Sequence, residues 1–224
     1  MLHTWRKSKN EKISIMLLAI VLSLMTLLVG CDTKKPKGDL LDMSNKLVNT
    51  AILGDIDGIK EFVSEDKVGQ ITKVIDTELL EIVENGSVYS LDVDSETLNS
   101  VVSALKVAMK NVKFTTEITD QYEEGASVKV VIEGLDLKSL LSELDREIKD
   151  FKKMTEETAE DYSEARSTVA KKYFELLNVK LQSGNAGTRQ KTVDLIFKVE
   201  DNKWQYRDVL EDIEYILKSA LPVY

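Results

Sequence analysis

The sequence is poor in the side chains on which most enzymes and metal sites depend. Its 224 residues include one histidine, His3, and one cysteine, Cys31. The chain after Cys31 therefore holds neither residue type, which excludes from it serine–histidine and cysteine–histidine nucleophiles, the usual zinc and haem sites, iron–sulfur clusters and disulfides. Any catalysis there would rest on carboxylates, tyrosines or lysines. We predict no catalytic centre, no metal site and no cofactor.

Two runs of acidic residues resemble the start of a calcium-binding loop. In the longer run, carboxylates alternate as the first ligands of such a loop do: Asp92, Asp94 and Glu96. The loop also needs a glycine at its sixth position and a glutamate at its twelfth, where this chain has Thr97 and Ser103. Residues 55–58 fail the same test. We therefore interpret Asp94 as the N-cap of a helix.

A further group of carboxylates could do acid–base chemistry if burial separated their pKa values. It consists of Glu156, Glu157, Glu160, Asp161 and Glu164. These residues interleave with apolar residues at helical spacing, which is typical of an exposed helix face. We predict a solvated surface here.

Five aromatic residues could line a ligand pocket, namely Tyr162, Tyr173, Phe197, Trp204 and Tyr206. Their spacing is that of core residues, although a core position does not exclude contact with a ligand. Trp204 follows an acidic turn and alternates with Tyr206, which predicts that it is buried against the helices.

Residues 1–30 have the pattern of a signal peptide. Basic residues come first: Arg6, Lys7, Lys9 and Lys12. An apolar stretch from Ile13 to Val29 follows; it is shorter than the roughly twenty apolar residues of a membrane span and has no basic stop-transfer flank. This favours cleavage, and an uncleaved membrane anchor is the alternative.

The end of the apolar stretch, Leu28-Val29-Gly30-Cys31, resembles the lipobox of bacterial lipoproteins. In that motif the lipoprotein signal peptidase recognises a leucine three residues before the cysteine and a small residue directly before it, here Leu28 and Gly30. The resemblance implies cleavage before Cys31 and a thioether between its sulfur and a diacylglycerol that carries acyl chains such as palmitate. It places the protein on the extracytoplasmic face of the cell membrane, with the lipid on Cys31 as the anchor.

Cleavage would leave a strongly acidic protein. Residues 1–30 carry four basic residues and Glu11, so their removal changes the net charge from −9 to −12. This charge works against binding to nucleic acid or to anionic lipid headgroups, and we expect no nucleic-acid partner. Residues 31–38 are interpreted as the lipidated cysteine and a polar tether, and residues 39–224 have the length of a single domain.

Apolar periodicity divides residues 39–224 into helices and two β-hairpins. Helical spacing and capping residues predict helices over residues 39–53, 55–63, 64–85 and 94–112, and a last helix after Asp208. Alternation with a period of two predicts hairpins over residues 114–132 and 193–206, the second turned at Asp201-Asn202.

The helical period returns between the hairpins, over residues 137–182. One long helix and two shorter ones both fit this stretch. We favour two, with a break near Met154-Thr155, because uncapped helices much longer than about 25 residues are uncommon in globular domains.

Two stretches resemble small bacterial lipoproteins with a cystatin-like, or nuclear-transport-factor-two-like, fold. Residues 47–63, through Ala51 to Asp55 and Ile59 to Val63, resemble the opening helix pair of that fold. Residues 195–207 resemble its closing hairpin, with a strand, an acidic turn and Lys203-Trp204. The resemblance implies a curved antiparallel sheet wrapped around helices, in lipoproteins mostly without a known function. Enzymes of that fold use an Asp and a Tyr in a pocket, but no such pair can be assigned here.

We therefore expect an α+β domain in which an antiparallel sheet of two hairpins packs against helices, cystatin-like, with a long helical insertion. The expected function is noncatalytic: a membrane-anchored lipoprotein that binds an envelope protein or a small ligand near the membrane. The alternative is a pocket enzyme with Asp and Tyr acid–base chemistry, of the isomerase or dehydratase type. The sequence leaves the partner, the ligand and the oligomeric state open.

Overall fold

A computed structural model describes Pro36, residues 38–184 and residues 186–223. The predicted signal peptide, Leu28, Gly30 and Cys31 lie outside the described residues. Gly38 begins a unit that extends to the end of the chain. None of the described helices combines the length and the apolar character needed to cross a lipid bilayer.

The described residues form seven α-helices and four β-strands. The helices are α1 (Leu40–Leu53), α2 (Glu65–Gly86), α3 (Ser95–Met109), α4 (Leu137–Glu147), α5 (Lys149–Thr158), α6 (Tyr162–Gln182) and α7 (Val209–Ala220). The strands are β1 (Lys113–Gln121), β2 (Gly125–Leu135), β3 (Thr188–Glu200) and β4 (Lys203–Tyr206). This confirms the predicted α+β class.

The four strands form one antiparallel sheet in the order β1-β2-β3-β4. The strands β3 and β4 are joined by a tight turn in which Asp201 and Asn202 both have positive φ, +50° and +61°, as a type I′ hairpin requires. Between β2 and β3 the chain makes the helices α4, α5 and α6, and the two strands then pair along the whole of β2. The two predicted hairpins are thus halves of a single sheet.

One face of the sheet is covered by helices. The alternate residues of β2 on this face are fully buried: Ala126, Val128, Val130 and Ile132. On β3 they face Val193, Leu195 and Phe197. The helix α7 packs on both strands, and its end approaches β2 so closely that a Cβ on Gly134 would lie 2.7 Å from the carbonyl carbon of Ala220. A glycine is therefore required at this position.

Local capping signals define the helix ends as predicted. Asp94 accepts a 2.8 Å hydrogen bond from the backbone N–H of Thr97, and Asp39, Asp136 and Asp208 cap α1, α4 and α7 in the same way. Gly54 ends α1 in the left-handed conformation, with φ +70°.

The helix predicted over residues 55–63 is wrong. Only a 3-10 turn forms there, from Asp57 to Ile59, followed by further turns. Asp57 and Gly58 both favour turns over helix, and the hydroxyl of Thr50 donates to the carbonyl oxygen of Asp55, which holds the chain in a bend after α1. The expected opening helix pair is therefore a helix and a turn.

The predicted break near Met154-Thr155 is also wrong, because both residues lie within α5. The insertion forms three helices, with one boundary at Ile148 and the other over residues 159–161. The second boundary follows from Asp161, whose carboxylate accepts a 2.8 Å hydrogen bond from the N–H of Ser163 and caps α6.

Candidate functional site

A groove of about 350 Å³ opens between α2, α7, the start of β3 and the C-terminal segment. We call it the terminal groove. Its charged and aromatic lining residues are Glu78, Glu81, Lys191, Tyr215 and Lys218, and its apolar ones include Ile82, Leu221, Pro222 and Val223. The volume lies within the range of small-ligand sites, roughly 300–1,000 Å³.

The wall formed by the C-terminal segment is fixed by its own contacts. Leu221 is 1% exposed, and the carbonyl oxygen of Pro222 accepts a 3.2 Å hydrogen bond from the N–H of Lys138 at the start of α4. Gly86 provides the space for Val223 and Leu141 beside the end of α2. The groove is therefore a preformed feature of the packed domain.

The acidic end of the groove is centred on Glu78. Its side chain is 12% exposed, and its Oε2 is buried without a hydrogen bond from any described residue. Lys218 Nζ lies 3.5 Å from this oxygen, at ion-pair distance, and also pairs with Glu214. Burial raises the pKa of Glu78, and the charge of Glu214 raises it further. Two carboxylates thus share one ammonium group.

The basic end is formed by Lys191. It stands on the helix-covered face of β3, in register with Ile132 of β2. It is half-buried and makes no ion pair with any residue that the structure describes. Because Lys191 is half-buried, its ammonium group would pair more strongly with an anion than a fully exposed one would.

The acidic residues singled out in the sequence do not lie in this groove. Asp92 pairs with Arg166 at 2.8 Å, and Asp94 is a helix cap whose pKa is lowered by the N–H of Thr97. The five acidic residues from Glu156 to Glu164 are exposed, as predicted, but they do not form one helix face, because Glu160 and Asp161 lie between α5 and α6. Within residues 38–184 and 186–223, no cluster of three or more potential ligands could hold a metal ion.

The aromatic residues divide into a buried group and an exposed one. Tyr173, Phe197, Trp204 and Tyr206 are buried, as expected for core residues. Tyr162 is 66% exposed, so its expected core position is wrong; it is the first residue of α6, where its side chain projects into solvent.

An aspartate and a tyrosine do lie near each other in the interior. Burial and the charges of Asp208 and Glu211 raise the pKa of Asp212 to about 7, and burial, followed by the charge of Asp212, raises the pKa of Tyr206. The hydroxyl of Tyr206 donates to the carbonyl oxygen of Met43. Neither side chain lines the terminal groove.

The sequence analysis missed the charged residues of the groove, although two of them carried a signal. Glu78 falls on the apolar stripe of α2, between Ile75 and Ile82. Lys191 occupies an inward position of the alternation that continues through Val193. A charged residue at a position where the helix or strand periodicity predicts an apolar one indicates a buried polar site.

The fold and the groove define a class of α+β domain with a four-stranded antiparallel sheet, helices on one face and a ligand-sized groove. The chain belongs to the family described as a domain of unknown function, DUF5105, whose model matches residues 46–219. No curated protein matches the sequence.

One solved structure shares the fold: the crystal structure of a "putative lipoprotein (ycdA)" from Bacillus subtilis. The two chains are 20% identical with a TM-score of 0.52, over 80% of this chain and 55% of the other. This chain thus spans little more than half the length of YcdA. Neither comparison describes a cystatin-like fold, so that narrower resemblance stays a prediction.

Proposed function

We propose that the protein is a lipoprotein held on the extracytoplasmic face of the cell membrane by the lipid on Cys31, and that it binds a small ligand in the terminal groove without catalysis. The observation that carries this proposal is the preformed groove, with its apolar wall and a charged group at each end. The lipobox supports the anchor, and so does the name given to YcdA, which shares the fold.

The groove lies far from the first residue of the domain. The domain begins at Gly38, where a Cβ would lie 3.8 Å from Trp204 Cδ1. Trp204 of β4 pairs with Val199 of β3. Lys191 lies eight residues before Val199 in β3, which places the two residues about 26 Å apart at 3.3 Å per residue. The groove thus opens at the end of the sheet away from Gly38, the first residue of the domain.

The geometry supports binding rather than catalysis. An Asp and Tyr enzyme needs both groups in contact with substrate, whereas Tyr206 is engaged by Met43 and Asp212 lies outside the groove wall. Of the four charged residues that line the groove, Glu78 and Lys218 pair with each other. Such an arrangement orients a ligand but supplies no activated nucleophile.

Native mass spectrometry of the full chain tests this function. The protein would be extracted from membranes of an expressing bacterium in lipid nanodiscs. We expect a copurifying small molecule that is lost in Ser219→Trp, which fills the groove, and retained in Thr168→Trp, an exposed site on α6.

Two outcomes would contradict the proposal. One is a ligand that is retained equally by both variants, since it would bind elsewhere. The other is a defined envelope protein that copurifies in place of any small molecule, which would make the protein an interaction partner.

A further inference from the structure

The terminal groove carries opposite charges at its two ends, and this defines the chemistry of its ligand. We propose that the groove binds a short apolar peptide with free termini, an inference that rests on the function proposed above. The ammonium group of the peptide pairs with Glu78 and Glu81, and its carboxylate pairs with Lys191. Three features of the groove support this ligand: the charge at each end, the location of the two ends on different elements, and the apolar residues between them.

The acidic end has fewer cations than anions. Lys218 pairs with both Glu78 and Glu214, and Glu81 stands at the rim of the groove without an ion pair to any described residue. Glu78 is 12% exposed, so that part of its side chain is open to a ligand in the groove. A ligand ammonium group would supply the donors that this end lacks, in a site where partial burial strengthens the pairing.

The basic end is separate from the acidic end. Glu78 is on α2 and Lys191 is on β3, and α7 packs against both of these elements. Lys191 forms no ion pair with Glu78 or with any other described carboxylate. A ligand with one cationic and one anionic end satisfies both groups, whereas a ligand of a single charge leaves one end without a partner.

The surface between the two ends is apolar. Ile82, Leu221 and Val223 line it, and behind Ile82 and Val223 lies a narrower cavity lined by aliphatic side chains and Gly86, among them Leu137 and Leu141. The volume of about 350 Å³ is near the lower end of the small-ligand range, which fits a peptide of two or three residues.

The test measures the binding of one peptide in three forms. The full chain in lipid nanodiscs would be titrated calorimetrically with trileucine, with its N-acetylated form and with its C-terminal amide. We expect the free peptide to bind at least about tenfold more tightly than either blocked form, which corresponds to about 1.4 kcal/mol for each lost ion pair.

Variants assign each terminus to its partner. In the double variant Glu78→Gln/Glu81→Gln the free peptide and the acetylated form should bind equally, and in Lys191→Met the free peptide and the amide should bind equally. Glu84→Gln and Lys73→Met, both exposed on α2 outside the groove, should behave as wild type. Melting temperatures of all variants show that each one is folded.

The outcomes separate this inference from the function on which it rests. Equal binding of the three peptide forms, or no binding, overturns the zwitterionic ligand. If a small molecule that depends on the groove still copurifies and is lost in Ser219→Trp, the proposed function stands and only the ligand class is wrong. If no such molecule copurifies either, both are wrong.

Discussion

The hydroxyl group of Tyr206 in β4 donates a 2.7 Å hydrogen bond to the backbone carbonyl oxygen of Met43 in α1. The two residues are 163 positions apart, and the bond is buried. It ties the short edge strand of the sheet to the first helix of the domain, close to Gly38.

Removal of this bond should destabilise the fold modestly. We expect Tyr206→Phe to lower the free energy of unfolding by about 0.5–1.5 kcal/mol, because the ring stays packed while one buried hydrogen bond is lost. Urea denaturation, monitored by tryptophan fluorescence, measures this change in the free energy of unfolding. Tyr162→Phe, at an exposed ring, is the control and should leave the midpoint unchanged. Equal midpoints for all three proteins would contradict the prediction.

Truncation of Trp204 should have a larger effect. The side chain is 5% exposed and lies beside Gly38 and Met43, so Trp204→Ala leaves a cavity and should cost about 3–5 kcal/mol. Circular dichroism melts compare it with Tyr162→Ala, for which we expect a change within about 0.5 kcal/mol. A Trp204→Ala protein that melts with the wild type would show that this residue is exposed and free to contact a partner.

The two glycines Gly134 and Gly69 should respond to alanine in opposite ways. At Gly134 a methyl group would meet the carbonyl group of Ala220, so Gly134→Ala should lower stability by about 1–3 kcal/mol. Gly69 lies exposed within α2, with nothing within 4 Å of an added Cβ. Gly69→Ala should raise stability by about 0.5–1 kcal/mol. Thermal melts that shift in the same direction for both would contradict the close packing of α7.

Local signals in the sequence were sufficient for the parts of the fold that depend on neighbouring residues. The Asp94 and Asp208 caps and the alternation in β2 and β3 are properties of a few consecutive residues, and the structure confirms them. The helix predicted over residues 55–63 failed because apolar spacing was given more weight than the turn preference of Asp57 and Gly58.

The groove could not be predicted from local signals. Glu78 and Lys191 are 113 positions apart in the chain, and they line one groove only because β2 and β3 pair across the helical insertion. Such pairing depends on the whole core rather than on any short segment. The sequence shows that each of these charged residues occupies a position where an apolar residue is expected. It does not show that the two residues lie at one site.

Asp212 should make stability depend on pH. Its carboxyl has a folded-state pKa of about 7 against an ordinary value of 3.8, so between these values the folded protein holds a proton that the unfolded chain has lost. Stability is therefore lost as pH rises through this window, with a slope that approaches about 1.4 kcal/mol per pH unit. Asp212→Asn removes this contribution of Asp212 to the pH dependence of stability.

Melting temperatures from pH 5 to pH 8 check this prediction. The advantage of Asp212→Asn over the wild type should grow with pH up to about pH 7 and then level off. The comparison cancels the opposite contribution of capping carboxylates such as Asp94, whose pKa is lowered in the folded state. Parallel curves for the two proteins would show that Asp212 is ionised and solvated in the fold.

Cys31 should be the site of lipid attachment. It is the sole cysteine of the chain and follows Leu28 and Gly30 at the lipobox spacing. Because the thioether requires sulfur, we expect Cys31→Ser to remain unprocessed or to leave the lipid fraction, whereas Thr33→Ser is processed as the wild type is. Intact mass spectrometry after detergent partitioning distinguishes these forms. A wild-type chain that retains Met1 and carries a free thiol at Cys31 would disprove the anchor, and the groove would then belong to a differently located protein.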